Sequence, residues 1–281
     1  MRERLALLRD APGASPLNSA ALVLFALLIV GAALGPSLVP YDPIATDAGS
    51  ALRPPSPAHW FGADQLGRDV FSRVVAATRL DLFIAFAAVT LSGVVGSAIG
   101  AAIGYFGGVA DAATSRIVDV LMAFPLFVLA MATVAALGNT VTNVIYATAL
   151  VNLPFYIRLA RAETGIRRHL GYVEAARVGG SSHARILSVH LLPNILPPLV
   201  VQASLNLGWA VLNAAGLSFI GLGVRAPTPE WGIMVADGAQ FITSGQWWIA
   251  LFPGLALMLA VLSFNLLGDG LRDRLDLRRD A

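Results

Sequence analysis

Residues Leu82–Tyr105 read LFIAFAAVTLSGVVGSAIGAAIGY, twenty-four positions without a charge. A helix rises about 1.5 Å per residue, so this run is long enough to cross a hydrocarbon core of about 30 Å. In lipid every backbone N–H and C=O must be satisfied within the segment, which selects a helix over a strand. Gly96, Gly100 and Gly104 recur in it at four-residue spacing, and Gly108 continues the series just beyond. Such a ridge lies on one helix face and lets another backbone approach closely. Tight helix packing inside the subunit is the expectation; a subunit interface or a pore-lining seam is the alternative.

Five further apolar runs flank this one: Leu17–Leu38, Val120–Leu137, Val141–Ile157, Ile195–Leu222 and Trp247–Leu267. The composition agrees, with 57% hydrophobic and only 13% charged residues and a mean hydropathy of +0.72. A soluble domain of 281 residues needs more charge to cover its surface. The expected fold class is therefore all-α, a polytopic membrane protein with six transmembrane helices. The apolar run after MRERLALLRDAPGASPLN is too long for a signal-peptide core and carries no small-residue cleavage site, so it reads as an uncleaved first span.

All 19 basic residues are arginine. With the N-terminus inside, the inner segments hold Arg2, Arg4, Arg9, Arg116, Arg158, Arg161, Arg167, Arg168, Arg177, Arg185, Arg272, Arg274, Arg278 and Arg279, which is 14 of the 19. Arg53, Arg68, Arg73, Arg79 and Arg225 are left outside. That excess places both termini in the cytoplasm. Trp60, Trp231, Trp247 and Trp248 then fall at or beyond the outer boundary, where indoles favour the headgroup zone. The net charge of +2 says little about partners, and none is expected to be nucleic acid.

Soluble-enzyme chemistry finds no footing. A phosphate-cradling GxxxxGK[ST] loop needs a lysine, and the chain has none. The absence of cysteine removes disulfides, thiolate nucleophiles and thiolate metal sites. Neither HExxH nor GxSxG occurs, and His59, His169, His183 and His190 all lie outside the spans. No metal site or catalytic residue is expected. Asp119 and Asp269 sit at the ends of spans, so the parts of a proton relay are missing too. The spans carry neutral polar residues instead: Asn152, Gln202, Ser204, Asn206 and Asn213. They serve either interhelical hydrogen bonding or the lining of a wet translocation path.

The most polar stretch lies between the fourth and fifth spans. Arg158 to Pro193 holds six Arg and two Glu over 36 residues, too long for a bare turn. Its centre reads EAARVGGSSHARILSVHLLPN, Glu174 to Asn194. Glu174 suits the start of a short helix, and Ala175 and Ala176 give that helix a face without bulk. Gly179 and Gly180 permit a turn closed to other residues. Ser181 or Ser182 can cap the next helix, and Pro193 resets direction at the membrane surface. The pattern is two short helices at an angle with a small-residue face, the form of a docking element.

Glu174-Ala175-Ala176, then Gly180 and Leu192-Pro193, resembles the EAA motif of permease subunits in bacterial ABC importers. His190 stands where the general pattern has an aliphatic residue, and HLLPN resembles instead the dipeptide, oligopeptide and nickel branch. FGADQLGRDVFSR (61–73, with Ala63 where threonine is usual), LSFIGLGVRAPTPEWG (217–232) and LLGDGLRDRLDLR (266–278) are similar to segments of that branch in the same order. The resemblance covers roughly residues 15 to 280 and is nearest to the second permease of the pair.

This resemblance implies a type I ABC importer permease. Residues 1–77 would be an N-tail, first helix and extracytoplasmic loop, and 78–281 a five-helix transmembrane domain with its coupling loop at about 158–193. It implies a multi-pass protein of the bacterial inner membrane. Its partners would be a homologous permease, two ABC ATPase subunits, an extracytoplasmic solute-binding protein and the bilayer. The chain itself would be non-catalytic and hold no cofactor, with ATP and Mg on the partner ATPases. Glu174, Ala175, Ala176, Gly179, Gly180, Leu192 and Pro193 would couple it to those ATPases. Peptides are the commonest cargo of the branch; nickel or another small solute is the alternative. A stand-alone secondary carrier and an intramembrane enzyme are readings of other classes. Phe61–Arg73 and Pro227–Gly232 read as contacts for a binding protein or partner permease, or as packed caps.

Overall fold

The computed structural model describes residues 16–276. Apart from one bridge between Ala63 and Asp69, the regular elements among these residues are helices. They are α1 Pro16–Leu38, α2 Val70–Phe106, α3 Gly108–Ala123, α4 Leu126–Leu137, α5 Val141–Arg167, α6 Gly171–Val178, α7 His183–Phe219, α8 Trp231–Ala239 and α9 Trp248–Asp276. By length and composition α2, α7 and α9 can each cross a membrane, and α3 with α4 makes a fourth if the bent pair counts as one span. Arg2, Arg4, Arg9, Arg278 and Arg279, which entered the orientation argument, lie outside the described residues.

The chain departs from the expected spans at two prolines. Val120–Leu137, read as one helix, is two, and α3 meets α4 at 93°. Phe124 takes the extended conformation at φ −81°, ψ 144°, which the ring of the following proline favours, and Pro125 then begins α4. Pro193 does not turn the chain. It sits at the start of an unbroken helical run, and the expected second short helix of the loop is the first turns of α7 itself. The run absorbs the proline through a π-helical stretch, Ile186–Leu191, in which the Leu192 N–H reaches back five residues to Leu187 O. The widened turn leaves room for a residue with no donor.

α2 is the central column and packs most extensively on α5, with α7, α1 and α9 around the rest of it. Its buried face, Val74, Ala77, Ala85 and Val89, joins Ile195 and Leu199 of α7, Trp231 of α8 and Phe264 of α9 in one core. α3 lies against α5 through exposed ion pairs, Asp119 with Arg158 at 2.6 Å and Asp111 with Arg161. Pairs so exposed are worth about 0–1 kcal/mol each and orient α3 more than they hold it.

A dense cap closes the α1–α2 and α8 end. Asp69 N-caps α2, accepting the Ser72 N–H at 2.8 Å, and also meets His59 Nδ1 at 2.9 Å. Arg68 and Arg73 are 3% and 2% exposed. Such burial is tolerable only when the guanidinium groups are paired. Arg68 Nε donates to Asp64 at 2.6 Å, and Arg73 donates to Pro43 O at 2.8 Å. Trp231, fully buried, donates its indole N–H to Val74 O at 2.9 Å and its backbone N–H to Asp81 at 3.0 Å. Most of Phe61–Arg73 and the Glu230–Gly232 end of the second segment are thus built into this cap, while Pro227 and Thr228 are exposed.

Glu230 caps α8 by accepting the Ile233 N–H at 2.8 Å, and its carboxyl abuts that of Asp81 inside the protein. Burial holds the Glu230 carboxyl above its ordinary value of 4.5, opposed in part by the N–H groups of Ile233 and Gly232. The fold therefore favours the neutral acid. The stability this confers is complete below the unfolded pKa and is lost as pH rises through the raised folded value. Glu230→Gln keeps an acceptor for the cap and removes the titration. The thermal midpoint of the detergent-purified variant should fall less between pH 5 and 8 than that of wild type, by about 2–4 °C for each kcal/mol involved. Parallel profiles would show that Glu230 does not titrate in this window.

Candidate functional site

The segment from Arg168 to Leu192 forms an elbow seated on the end of α2. Its first arm is α6, whose Val173 is fully buried while Gly171, Glu174, Ala175 and Val178 line the opposite face and are exposed. Those four follow the i, i+3, i+4, i+7 spacing of one helical stripe. The stripe offers a carboxylate, a valine that is 90% exposed, and no side chain larger than these. A partner helix or cleft can approach it closely. Burial of Val173 against Tyr105, Ile186 and Leu191 contributes about 1.5–3 kcal/mol and anchors the inner face.

The corner is a Schellman turn. The Ser181 N–H bonds to Ala176 O at 3.0 Å and the Gly180 N–H to Arg177 O at 3.1 Å, the nested pair that closes a helix end. It requires a left-handed residue, and Gly180 has φ +77° with nothing within 4 Å of where a Cβ would stand. Backbone conformation, not crowding, demands glycine there. Ser182 then caps the second arm, accepting the Arg185 N–H at 3.3 Å. Both arms are locked by local hydrogen bonds, so the elbow is stiff.

Three side chains tie it to α2. Tyr105 Oη and His183 Nδ1 are 2.8 Å apart, and the Arg177 guanidinium stands 6.0 Å from the Tyr105 ring centre. Arg168 donates to Gly104 O at 3.2 Å and Tyr105 O at 3.3 Å, satisfying carbonyls at the helix C-terminus where a cation is favoured. Sequence reasoning passed over Tyr105, Arg168 and His183. Only a lone tyrosine closing a glycine-rich span hinted at the first.

The glycine series meets α5. A Cβ on Gly96 would stand 2.7 Å from Tyr156 Cβ, one on Gly100 2.4 Å from Ile157 O, and one on Gly104 2.6 Å from Arg161 O. Gly108 is not part of this seam. It follows the break at Gly107, has φ +71°, and faces open space.

Of the five neutral polar residues, Asn152, Asn206 and Asn213 are buried within the chain, at 1%, 6% and 3% exposure. Asn213 donates to Thr148 Oγ1 at 3.1 Å across α7 and α5, Asn152 to Thr148 O at 2.9 Å, and Gln202 to Asn206 Oδ1 at 2.9 Å. Ser204 bonds back to Val200 O. Only Asn213 bonds to a neighbouring helix, and Asn152 Oδ1, Asn206 Nδ2 and Asn213 Oδ1 are buried without a hydrogen-bond partner among the described residues. The open space is elsewhere, in a groove of about 630 Å³ between α2 and α7 lined by Phe86, Val89, Gly93, Tyr156, Leu199 and others. None of the five lines it, while Leu192 and Pro193 border it. The two loop residues furthest from Glu174 in sequence thus stand at the edge of a cleft in the bundle.

The model of the family described as "Binding-protein-dependent transport system inner membrane component" matches residues 96–280. The chain is 45% identical over 262 residues to the probable D,D-dipeptide transport system permease protein DdpC of Escherichia coli K12, covering 93% of this chain and 88% of that protein. It is 44% identical over 255 residues to the dipeptide transport system permease protein DppC of Alkalihalophilus pseudofirmus, covering 91% and 84%. It is also 44% identical over 256 residues to the nickel transport system permease protein NikC of E. coli K12, covering 91% and 92%.

Proposed function

Because this chain belongs to the family of binding-protein-dependent transport system inner membrane components, we propose that it forms half of the translocation pathway of an ATP-driven importer of di- or oligopeptides. The observation that carries the reading is the exposed, Schellman-locked elbow seated on the end of α2. In this reading the chain hydrolyses nothing itself. Two ATPase subunits lie beneath it, a homologous permease beside it, and a solute-binding protein above. ATP-driven closure of the ATPases displaces the stripe of Gly171, Glu174, Ala175 and Val178. A lever must be stiff to transmit a displacement, and the two capped arms meet that requirement.

Six crossings fit the family: α1, α2, the bent α3–α4 pair, α5, α7 and α9. Residues 1–77 then hold the tail, first span and outer loop, and 78–281 the transmembrane domain with its coupling loop at about 158–193. Arg158, Arg161, Arg167, Arg168, Arg177 and Arg185 all gather around the elbow, which supports a cytoplasmic position for it and for both termini. Residues Glu174 through Gly180 act as the docking arm, and Leu192 and Pro193 carry its displacement to the rim of the α2–α7 groove.

Cargo separates the readings. In vesicles holding the chain with its partner subunits, a labelled dipeptide should accumulate only with ATP and the binding protein, and excess nickel should not compete. ATP-dependent uptake of nickel without peptide would move the assignment to the metal, as the nickel relative allows. Uptake by this chain alone, without ATPase subunits, would make it a stand-alone carrier.

A further inference from the structure

Resting on the coupling role of the elbow, we infer that Tyr105 is the positioning residue through which the displacement of the elbow enters α2. The elbow is covalently continuous with α5 on one side and is the start of α7 on the other. Motion reaches those two helices through the backbone. α2 has no such link, yet it forms one wall of the groove through Phe86, Val89 and Gly93. It must be moved by contacts, along the α5 seam and at the elbow itself.

Tyr105 is placed to do this because it touches both arms at once. On the α6 side it packs with Val173 and lies under Arg177. On the α7 side it packs with Ile186 and Leu191, and its hydroxyl meets His183 Nδ1 at 2.8 Å. The ring is 7% exposed and fills the inner angle of the elbow, so displacement of either arm presses on it. Packed interiors pass on such displacements because they are not compressible. Simple filling of that angle would need only a phenylalanine. The hydroxyl bonded to an exposed histidine is what filling leaves unexplained, and it fixes the ring to the capped turn of the second arm. Arg168 adds a grip on the Gly104 and Tyr105 carbonyls, so the last turn of α2 is held by main chain as well as by ring.

The test uses the complete transporter in vesicles, with uptake and ATP hydrolysis measured in the same preparation. Tyr105→Ala should leave the complex assembled and lower substrate taken up per ATP about tenfold, within the usual range of coupling between sites. Tyr105→Phe and His183→Ala should each lower that ratio by less, and their combination should be no worse than either alone, because both remove the same bond. A wild-type ratio in Tyr105→Phe and His183→Ala would overturn the inference. So would equal falls in uptake and hydrolysis, which a residue needed only for folding would give. If Tyr105→Ala does not assemble, the other two variants decide. Glu174→Arg is run beside them. Intact ATPase association and coupled uptake in that variant would refute the coupling role of the elbow. Uncoupling there, with wild-type ratios in Tyr105→Phe and His183→Ala, would refute the role of Tyr105 alone.

Discussion

Gly180→Val is expected to abolish ATP-driven uptake by the assembled transporter while the chain still inserts into the membrane at normal levels. Gly180 stands at φ +77° with open space around it. A β-branched residue in the left-handed region costs about 1–2 kcal/mol, so the chain escapes by abandoning the turn. The bonds from Ser181 to Ala176 O and from Gly180 to Arg177 O then fail together, and the two arms lose their fixed angle. The stripe of Glu174 and Val178 no longer stands where a rigid partner meets it. Gly180→Asn is the matched control, since asparagine enters the left-handed region at little cost and should keep most of the uptake. Glu174→Arg attacks the same surface by charge instead of by backbone and should weaken recovery of the ATPase subunits with the tagged chain. Wild-type uptake in both Gly180→Val and Glu174→Arg would show that the elbow is not the coupler.

The second large effect is expected at the α2–α5 seam. Gly100→Val should reduce the amount of folded protein extractable from membranes to near background. A Cβ at Gly100 would stand 2.4 Å from Ile157 O, 2.9 Å from Ala160 Cβ and 3.0 Å from Arg161 N. Two of these are backbone atoms, with no side chain that can swing aside, so the helices must separate. Overpacking a core costs about 1–3 kcal/mol. Here separation also strips contacts along the most extensive helix pair of the protein. Gly93→Ala, one turn before the seam, meets only Tyr156 ring atoms at 3.6 Å and should be within about 0.5 kcal/mol of wild type. Equal thermal midpoints for Gly100→Val and Gly93→Ala would refute the close approach of α2 to α5.

Much of this architecture is legible in local chemistry. Each of the six apolar runs is largely helical, with Val120–Leu137 broken at Phe124–Pro125, because length and hydropathy are properties of a segment alone. The elbow is legible for the same reason, since Glu174, the Gly179–Gly180 pair and Ser182 act on their own neighbours. Features that depend on what lies opposite were not. The four-residue glycine spacing names a face of α2 but not α5 as its neighbour, and it does not reveal that Gly108 lies past a helix break. Pro125 and Pro193 look equivalent in sequence. One makes a 93° corner and the other is absorbed by a π-helical stretch. Polarity within the spans left interhelical bonding and a wet path both open, because the partner of a side chain such as Asn213, here Thr148 of α5, is set by packing between helices. Tyr105 carried no signal strong enough to single it out, because its partners lie far away in the chain.

If the elbow is the coupler, the outer stripe of α6 is a cytoplasmic surface covered by an ATPase subunit. The chain has no cysteine, so Ala175→Cys creates a single thiol on an exposed small-residue position of that stripe. A membrane-impermeant maleimide should label it in inverted vesicles stripped of ATPase subunits, leave it unlabelled in intact cells, and be blocked when the ATPase subunits are added back. Labelling from outside intact cells, or labelling in inverted vesicles that ATPase subunits do not diminish, would contradict the account.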